Sequence, residues 1–463
     1  MQPTGTEYNW RSNTLILFSA TGKVISDIKA KVRGTSLKAR CTRSTMILGA
    51  ASFGERALRL VRNMILARLL APKDFGLMAI VLTASVLLQT LSDVGVRQSI
   101  IHNKRGLEEE YLNMAWWFQT VRGLGIYAIA FLTAPLISLF YGKPELTLLL
   151  RIACVAVIFN SLISPRTHTM EKELQFGKWV FINYGAGVLG TVFVVALAFW
   201  LRNIWALVIG FSAEAISYCL LSFIFCPFWP RLKIDRSSLG ELLKYARGMF
   251  GLTFLVVVSL NTDVAVLGKV ASTEQLGMYA LAYALAYQPT ALFGLTIDRI
   301  LLPAFAEIQD DKQILCRYML KVIRYTFILG IPLIAVAAIF ARPILSLVYG
   351  SAYAAVRTPF AILCANTLFL IQGLVLSKIY LAIGKPYLNR RFALILTVLI
   401  FVLIYPGIVL FGLSGAAGSL LLANAISVCI QVIWMRNIIG LRFQDYLFFL
   451  LPFSLGRAKR EAL

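Results

Sequence analysis

The chain has 463 residues, of which 59% are apolar and 14% charged, with a mean hydropathy of +0.76 and a net charge of +23. Soluble domains average about 45–50% apolar and about 25% charged residues, so the composition excludes a cytosolic globular protein, a disordered chain and a small disulfide-bonded domain. A basic excess in a soluble protein would indicate nucleic-acid binding, whereas in a membrane protein it also fixes cytoplasmic loops.

Apolar segments of membrane-spanning length follow one another from residue 44 onwards, after a basic tail. We predict an all-α multi-pass membrane protein, because hydrocarbon leaves free backbone groups unpartnered and the segments are too long for barrel strands. About twelve transmembrane helices are expected, at 44–70, 76–100, 112–140, 146–166, 178–201, 204–228, 247–271, 277–306, 322–348, 356–382, 389–411 and 414–436.

A polar interruption divides these helices into two sets of six. The predicted units are a basic cytoplasmic N-tail (1–43), an N-lobe (44–228), a cytoplasmic linker (229–246), a C-lobe (247–440) and a cytoplasmic or interfacial C-tail (441–463).

The two sets are similar in sequence at a nearly constant spacing of about 200 to 210 residues. Four pairs of segments match in chain order: 75–79 with 276–280, 135–142 with 343–350, 177–178 with 384–385, and 213–219 with 423–429. Six helices is an even number, so both lobes enter the membrane from the same side. The lobes should therefore be related by a pseudo-two-fold axis along the membrane normal, with a substrate path between them.

The basic residues outside the predicted spans are distributed unevenly. The side that holds both termini carries 30 Lys and Arg, against 6 on the opposite side. This bias predicts cytoplasmic termini. It also explains most of the excess charge, so nucleic acid is not an expected partner.

Nine basic and five acidic residues lie within the predicted spans. Each costs about 2.5–3.5 kcal/mol at a helix centre, so together they must line a watery cavity, pair, or extend towards the interface. Snorkelling is an equally good interpretation of Arg68 and Arg97. The candidates for a cationic substrate cavity are Arg56, Arg59, Arg62, Arg122, Arg151, Arg299 and Lys378.

Three of these arginines recur at three-residue steps on the first span. Arg56, Arg59 and Arg62 therefore share one side of a helix, and their forked, permanently charged groups suit phosphate. A voltage sensor also carries Arg at every third position, but no pore signature follows in this chain.

The repeat suggests a role for charges of opposite sign. Arg62 is equivalent in sequence to Asp263, and Arg97 to Asp298. We hypothesise that these charges help to close one face of the cleft between the lobes. Glu214 and Asp263 are in addition candidate protonation sites. The candidates for gating or ion coupling are Arg97, Glu214, Asp263 and Asp298.

Neither a metal site nor a cofactor is expected. The seven cysteines have no metal-ligand or redox spacing, and the two histidines stand apart from each other.

Three segments resemble bacterial polysaccharide-type flippases of the multidrug/oligosaccharidyl-lipid/polysaccharide exporter superfamily. Leu66-Ala-Arg-Leu-Leu-Ala-Pro-Lys-Asp-Phe-Gly76 is similar to the first helix and loop of that family. Asn261-Thr-Asp263 through Gly268-Lys269, with Leu276-Gly-Met-Tyr279, resembles the start of its second half. Leu302-Pro-Ala-Phe305 and Gln309-Asp-Asp311 resemble its eighth helix and the following loop. The long N-tail departs from many relatives.

The resemblance implies a two-lobed bundle that moves undecaprenyl-diphosphate-linked oligosaccharides across the bacterial inner membrane, with the cavity arginines on the diphosphate. Expected partners are this lipid-linked substrate and membrane lipid, with a polysaccharide polymerase or chain-length machinery as a further candidate. A multidrug antiporter is the alternative, although the intramembrane charges are mainly basic. A membrane enzyme is disfavoured because the predicted outer loops are too short to carry an acid–base pair.

Overall fold

The computed structural model describes residues 37–91, 95–173, 175–231, 235–249, 252–296 and 301–441, together with 444 and 446. In this part of the chain the regular structure is helical. The first lobe contains α1 (Leu37–Leu69), α2 (Pro72–Leu91), α3 (Val96–His102), α4 (Glu109–Tyr141), α5 (Leu146–Ala153), α6 (Val155–Ser161), α7 (Arg166–Lys172), α8 (Phe176–Leu201) and α9 (Trp205–Phe225).

A linker helix, α10 (Arg236–Met249), leads into the second lobe. That lobe contains α11 (Leu252–Val270), α12 (Thr273–Ala286), α13 (Gln288–Thr296), α14 (Leu302–Glu307), α15 (Lys312–Ile339), α16 (Ala341–Val348), a 3₁₀ turn (Ser351–Val356), α17 (Arg357–Ala382) and α18 (Pro386–Ile439). Residues 1–36 of the predicted N-tail and most of the predicted C-tail lie outside the described residues, whereas residues 37–43, also assigned to the tail, belong to α1.

Seven helices of the described chain are long and apolar enough to cross a membrane, or eight if the bent pair Leu146–Ser161 and Arg166–Lys172 forms one span. The count of twelve is therefore not confirmed and stays a prediction. Part of the difference has a simple cause, because α18 would be about 80 Å long if straight. Its backbone leaves helical geometry at Gly412 (φ 58°, ψ −133°), so this element consists of two helices.

The lobes meet at one end of the bundle, which we call the closed end (the loops around residues 71, 143, 271 and 350). There α2 packs against α12 and α11. A buried apolar cluster runs through both lobes at this contact and includes Phe75, Leu276 and Tyr279. Large apolar side chains such as Leu132 and Leu139 are exposed on the outer surface, as expected for helices that face lipid.

The linker is attached to the first lobe. The side-chain amide of Asn113 on α4 donates to the carbonyl of Arg231 and accepts from its N–H, both at 2.7 Å. The Trp117 indole N–H donates to the same carbonyl at 3.0 Å. Arg105 lies between the carboxylates of Asp235 (3.5 Å) and Glu241 (3.3 Å). The linker should therefore move with the first lobe.

Replacing Asn113 by alanine should release this attachment. The side chain is buried, and its loss leaves the N–H of Arg231 without its acceptor, at a cost of about 1–3 kcal/mol. Hydrogen–deuterium exchange of the peptide containing Arg231 should become at least tenfold faster. Trp117→Phe, which removes one donor and keeps the Asn113 pair, is the control with a smaller effect. Unchanged exchange in the alanine variant would show that the linker is held by other contacts.

Candidate functional site

A cluster of opposite charges lies on the inner face of the first lobe. Glu55 and Arg59 are one turn apart on α1 and pair at 2.7 Å. Arg62, one turn further, contacts Glu214 of α9 at 3.1 Å, and Arg59 lies 3.6 Å from the same carboxylate. Glu214 therefore bridges two of the three arginines predicted from the sequence. The side chains of Arg62 and Glu214 are about one-fifth and one-quarter exposed.

The packing of α8 against α9 places Glu214 in this position. Gly190 of α8 faces Glu214 so closely that a Cβ on the glycine would lie 2.6 Å from the Cβ of the glutamate. The absent side chain lets the two helices approach, and Glu214 can then extend towards α1. A larger residue at position 190 would displace the carboxylate from the arginines.

Two cavities meet at this cluster. The first-lobe cavity has a volume of about 240 Å³, and the interlobe cavity, between the lobes, has about 400 Å³. Arg59 and Glu214 line both of them, and Arg62 lines the interlobe cavity. The second lobe contributes Ala280, Leu281 and Ala284 to the interlobe cavity. Two arginines and one glutamate therefore line the space between the lobes.

Arg56 and Arg122 are both partly buried. Arg56 precedes Arg59 by one turn on α1, and its Nε is enclosed without a hydrogen-bond partner in the described residues. Arg122 lies on α4 and does not line either cavity.

Arg151 and Lys378 lie outside the lining of both cavities as well. Arg151 stacks on the ring of Phe131, 4.0 Å from its centroid. Lys378 lies on α17 of the second lobe. Arg299 and Asp298 lie outside the described residues.

Of the two charge pairs inferred from the repeat, the structure describes both members of only one, and in this conformation Arg62 and Asp263 have other partners. Asp263 is buried in the second lobe, where it accepts a hydrogen bond of 3.0 Å from the hydroxyl of Tyr279, while Arg62 binds Glu214. Arg97 makes a forked contact with Glu171, with N–O distances of 2.6 to 3.1 Å. That pair joins α3 to α7, and the gating role predicted for Arg97 stays a prediction.

Sequence reasoning missed several polar residues of the first-lobe cavity. Glu55 could have been assigned to the site from its four-residue spacing to Arg59. Trp179, Asn183, Tyr184 and Tyr218 also line this cavity. Their types and spacing resemble those of ordinary packed helices, so no sequence signal separates them from core residues.

The closed end is held by cations that bind helix C-termini of the opposite lobe. Arg68 of the first lobe donates to the carbonyl of Leu347 at 2.7 Å, and Lys143 donates to that of Gly268 at 2.8 Å. Lys269 of the second lobe donates to the carbonyl of Phe140. The last carbonyls of a helix lack internal partners and carry partial negative charge.

These contacts are reciprocal between the lobes. Arg68 and Lys269 occupy equivalent positions at the ends of α1 and α11, and each binds the end of a helix in the other lobe. Burial lowers the pKa of Lys143 below its usual value, because the junction removes water from the ammonium group. We call the contacts of Arg68, Lys143 and Lys269 the cation latch.

Replacing Arg68 and Lys269 together by alanine should loosen the closed end. Two charge-assisted hydrogen bonds at the exposed edge of the junction are lost, and each is worth about 0.5–1.5 kcal/mol. Distances measured between spin labels at Glu145 and Glu274 should include a longer interlobe distance. The fraction of molecules with that longer distance should be at least tenfold larger than in the unmodified protein. The control is Arg202→Asn, a change at an exposed cation of the same end. An unchanged distance distribution would show that the latch does not hold the lobes together.

In the described residues no group of three or more His, Cys, Asp or Glu is arranged to hold a metal ion.

The apolar helices of membrane-spanning length define an all-helical, multi-pass membrane protein. Residues 65–358 match a family described as polysaccharide biosynthesis proteins, and the chain belongs to that family. The resemblance inferred from the sequence motifs is thus confirmed.

Two curated relatives are similar to this chain over much of its length. The lipopolysaccharide biosynthesis protein WzxC of Escherichia coli K12 is 26% identical over 404 residues, which cover 86% of this chain and 82% of the relative. The succinoglycan biosynthesis transport protein ExoT of Rhizobium meliloti is 22% identical over 301 residues, which cover 65% and 61%.

Solved structures share the fold at lower sequence identity. The lipid II flippase MurJ in an inward closed conformation superposes with a TM-score of 0.72 at 16% identity, covering 87% of this chain and 90% of that one. An inward-facing multidrug resistance transporter of the MATE family and MOP superfamily gives 0.61 at 14% identity, covering 85% and 98%.

Proposed function

We propose that this protein flips undecaprenyl-diphosphate-linked oligosaccharide repeat units across the bacterial inner membrane for exopolysaccharide, capsule or O-antigen synthesis. The observation that carries the proposal is the position of Arg59 and Arg62, whose guanidinium groups face the interlobe cavity beside Glu214. Forked guanidinium donors match phosphate oxygens. The names of WzxC and MurJ support the same assignment.

Glu214 contacts the two arginines that the proposal assigns to the diphosphate. Its carboxylate neutralises Arg59 and Arg62, which would otherwise repel each other in a partly buried site. An entering diphosphate carries more negative charge and more acceptor oxygens than one carboxylate, so it competes for the same donors. Substrate binding would free Glu214, which could then take up a proton and couple transport to the proton gradient.

Three further candidates predicted from the sequence have supporting roles in this proposal. Arg56 and Arg122 would add positive potential to the first lobe. Asp263 and Tyr279, both buried beside the closed end, would contribute to switching between states. Alternating access follows if the lobes separate at the cation latch and approach each other at the opposite end.

The uneven distribution of Lys and Arg between the two sides predicts how the protein is oriented in the membrane. Because the predicted cytoplasmic side holds both termini and the linker, the closed end faces the periplasm, and the cleft opens towards the cytoplasm where substrate is made. We therefore assign this structure to an inward-facing state, in which the cation latch seals the periplasmic side.

The function is tested by deleting the gene and measuring lipid-linked repeat units on each face of the inner membrane. The proposal predicts accumulation on the cytoplasmic face and restoration by a plasmid copy. An unchanged distribution, combined with increased sensitivity to cationic drugs, would indicate the multidrug antiporter instead.

A further inference from the structure

A separate cavity of about 300 Å³ lies inside the second lobe, between α11, α12, α13, α17 and α18. Its described lining contains no charged residue. Uncharged polar groups alternate there with aromatic rings and aliphatic side chains. The polar lining residues are Ser259, Tyr287, Thr290, Ser377, Asn389, Asn424, Ser427 and Gln431.

Three of the polar residues form a row on one face of α18. Asn424, Ser427 and Gln431 are spaced three and four residues apart, so successive side chains lie one turn apart. The amide group of Gln431 donates to the hydroxyl of Ser427 at 3.3 Å, and that of Asn424 donates to Asn366 at 3.0 Å. These bonds use the amide N–H groups and leave the side-chain carbonyl oxygens of Asn424 and Gln431 as acceptors.

Thr290, which also lines this cavity, carries a buried hydroxyl group without a partner in the described residues. The residue is 2% exposed. A buried hydroxyl without a partner costs about 1–3 kcal/mol, and a ligand that accepts from it or donates to it would recover that cost. Phe369 and Phe392 supply flat apolar surface to the same space.

The repeat shows that the absence of charged residues from the described lining of this cavity distinguishes the second lobe from the first. Asn424 in the segment 423–429 is equivalent to Glu214 in the segment 213–219, and Ser427 is equivalent to Ser217. The first lobe thus carries a carboxylate bound to arginines where the second lobe carries an amide bound to Asn366. Equivalent positions have diverged towards a charged ligand in one lobe and an uncharged, hydrogen-bonding ligand in the other.

We infer that the second-lobe cavity binds the uncharged saccharide portion of the substrate while the first lobe binds its diphosphate; this inference rests on the proposed function. A sugar ring presents hydroxyl groups at its edge and C–H groups on its faces, which match the amide row and the aromatic rings. The volume lies at the lower end of the range for small-molecule sites, about 300–1,000 Å³. It therefore suits one or two sugar rings. A prenyl chain would leave the polar row and Thr290 unpartnered.

The test compares soluble substrate fragments with and without a sugar. Farnesyl diphosphate, and the same molecule carrying glucose, galactose or N-acetylglucosamine, are titrated into the full-length protein in nanodiscs. At least one of the three sugar-bearing probes should bind tenfold or more tightly than the sugarless probe. We call the ratio of the Kd of the sugarless probe to that of the sugar-bearing probe the sugar advantage. Gln431→Leu and Thr290→Val should each reduce the sugar advantage at least threefold without changing the Kd of the sugarless probe.

Thr290→Val is nearly isosteric and removes only an unpartnered hydroxyl, so it should fold normally. Gln313→Leu, at an exposed amide of the same lobe, is the matched control and should retain the full advantage. Equal Kd values for all four probes, or an unreduced sugar advantage in both cavity variants, would overturn the inference while leaving the proposed function intact. Weaker binding of the sugarless probe in both variants would assign the cavity to the prenyl chain. If no probe binds the unmodified protein, the proposed function itself fails, and this inference fails with it.

Discussion

Replacing Arg62 by alanine should reduce transport of the lipid-linked substrate by about tenfold to a hundredfold. The guanidinium of Arg62 lies 3.1 Å from Glu214 and lines the interlobe cavity. A charge-assisted hydrogen bond is worth about 1.5–3 kcal/mol, and about 1.4 kcal/mol corresponds to a factor of ten. The variant also leaves Glu214 with only the 3.6 Å contact to Arg59. Substrate flipping in proteoliposomes measures the effect.

Two further substitutions separate binding from folding. Glu214→Gln disrupts the same ion pair but leaves both guanidinium groups available, so diphosphate binding should be retained or strengthened. Arg151→Ala removes an arginine that stacks on Phe131 and lines neither cavity, so transport should be unchanged. If Arg151→Ala lost as much transport as Arg62→Ala, the loss would indicate a general folding defect and contradict a direct role for Arg62.

Replacing Gly277 by alanine should prevent the lobes from meeting at the closed end. A Cβ at this position would lie 1.8 Å from the carbonyl oxygen of Pro72 and 2.8 Å from the backbone N of Gly76. Both obstacles are backbone atoms, which cannot rotate away. The variant should have a lower Tm and severely reduced transport. In a cysteine-free background, Ala280→Cys in the interlobe cavity should become reactive towards an impermeant maleimide added to spheroplasts.

Gly125→Ala serves as the control for this experiment. Gly125 lies on α4 with nothing within 4 Å of an added Cβ, and alanine favours helix over glycine by about 1 kcal/mol. This variant should be as stable as the unmodified protein or slightly more so, with Ala280→Cys still protected. If Ala280→Cys were equally protected from the maleimide in the Gly277→Ala variant, the close contact between the helices would not be what seals the closed end.

The sequence repeat includes two glycines at which the lobes pack closely, but the sequence alone did not show that these glycines meet. The match of 75–79 with 276–280 contains Gly76 and Gly277, and in the structure each glycine faces backbone of the other helix. Equivalent residues of a repeat meet only when they lie close to the axis that relates its two halves. The distance of a residue from that axis is a property of the assembled bundle and cannot be read from spacing alone.

The same limit explains why the sequence paired the charges differently. Arg62 and Asp263 are equivalent in the repeat, but Arg62 has a carboxylate available within its own lobe, at Glu214, and Asp263 has the Tyr279 hydroxyl in the other. A partner in the same lobe needs no interlobe contact. By contrast, helical periodicity predicted a common side for Arg56, Arg59 and Arg62, and of these three Arg59 and Arg62 line the interlobe cavity.

Binding of undecaprenyl diphosphate and of undecaprenol to the protein in nanodiscs tests the central claim most directly, because the two lipids differ only at the headgroup. If Arg59 and Arg62 hold the diphosphate, the diphosphate should bind at least a hundredfold more tightly than the alcohol, and its affinity should fall in the Arg62→Ala variant. Equal affinities for the two lipids, or an unchanged preference in the variant, would contradict the account.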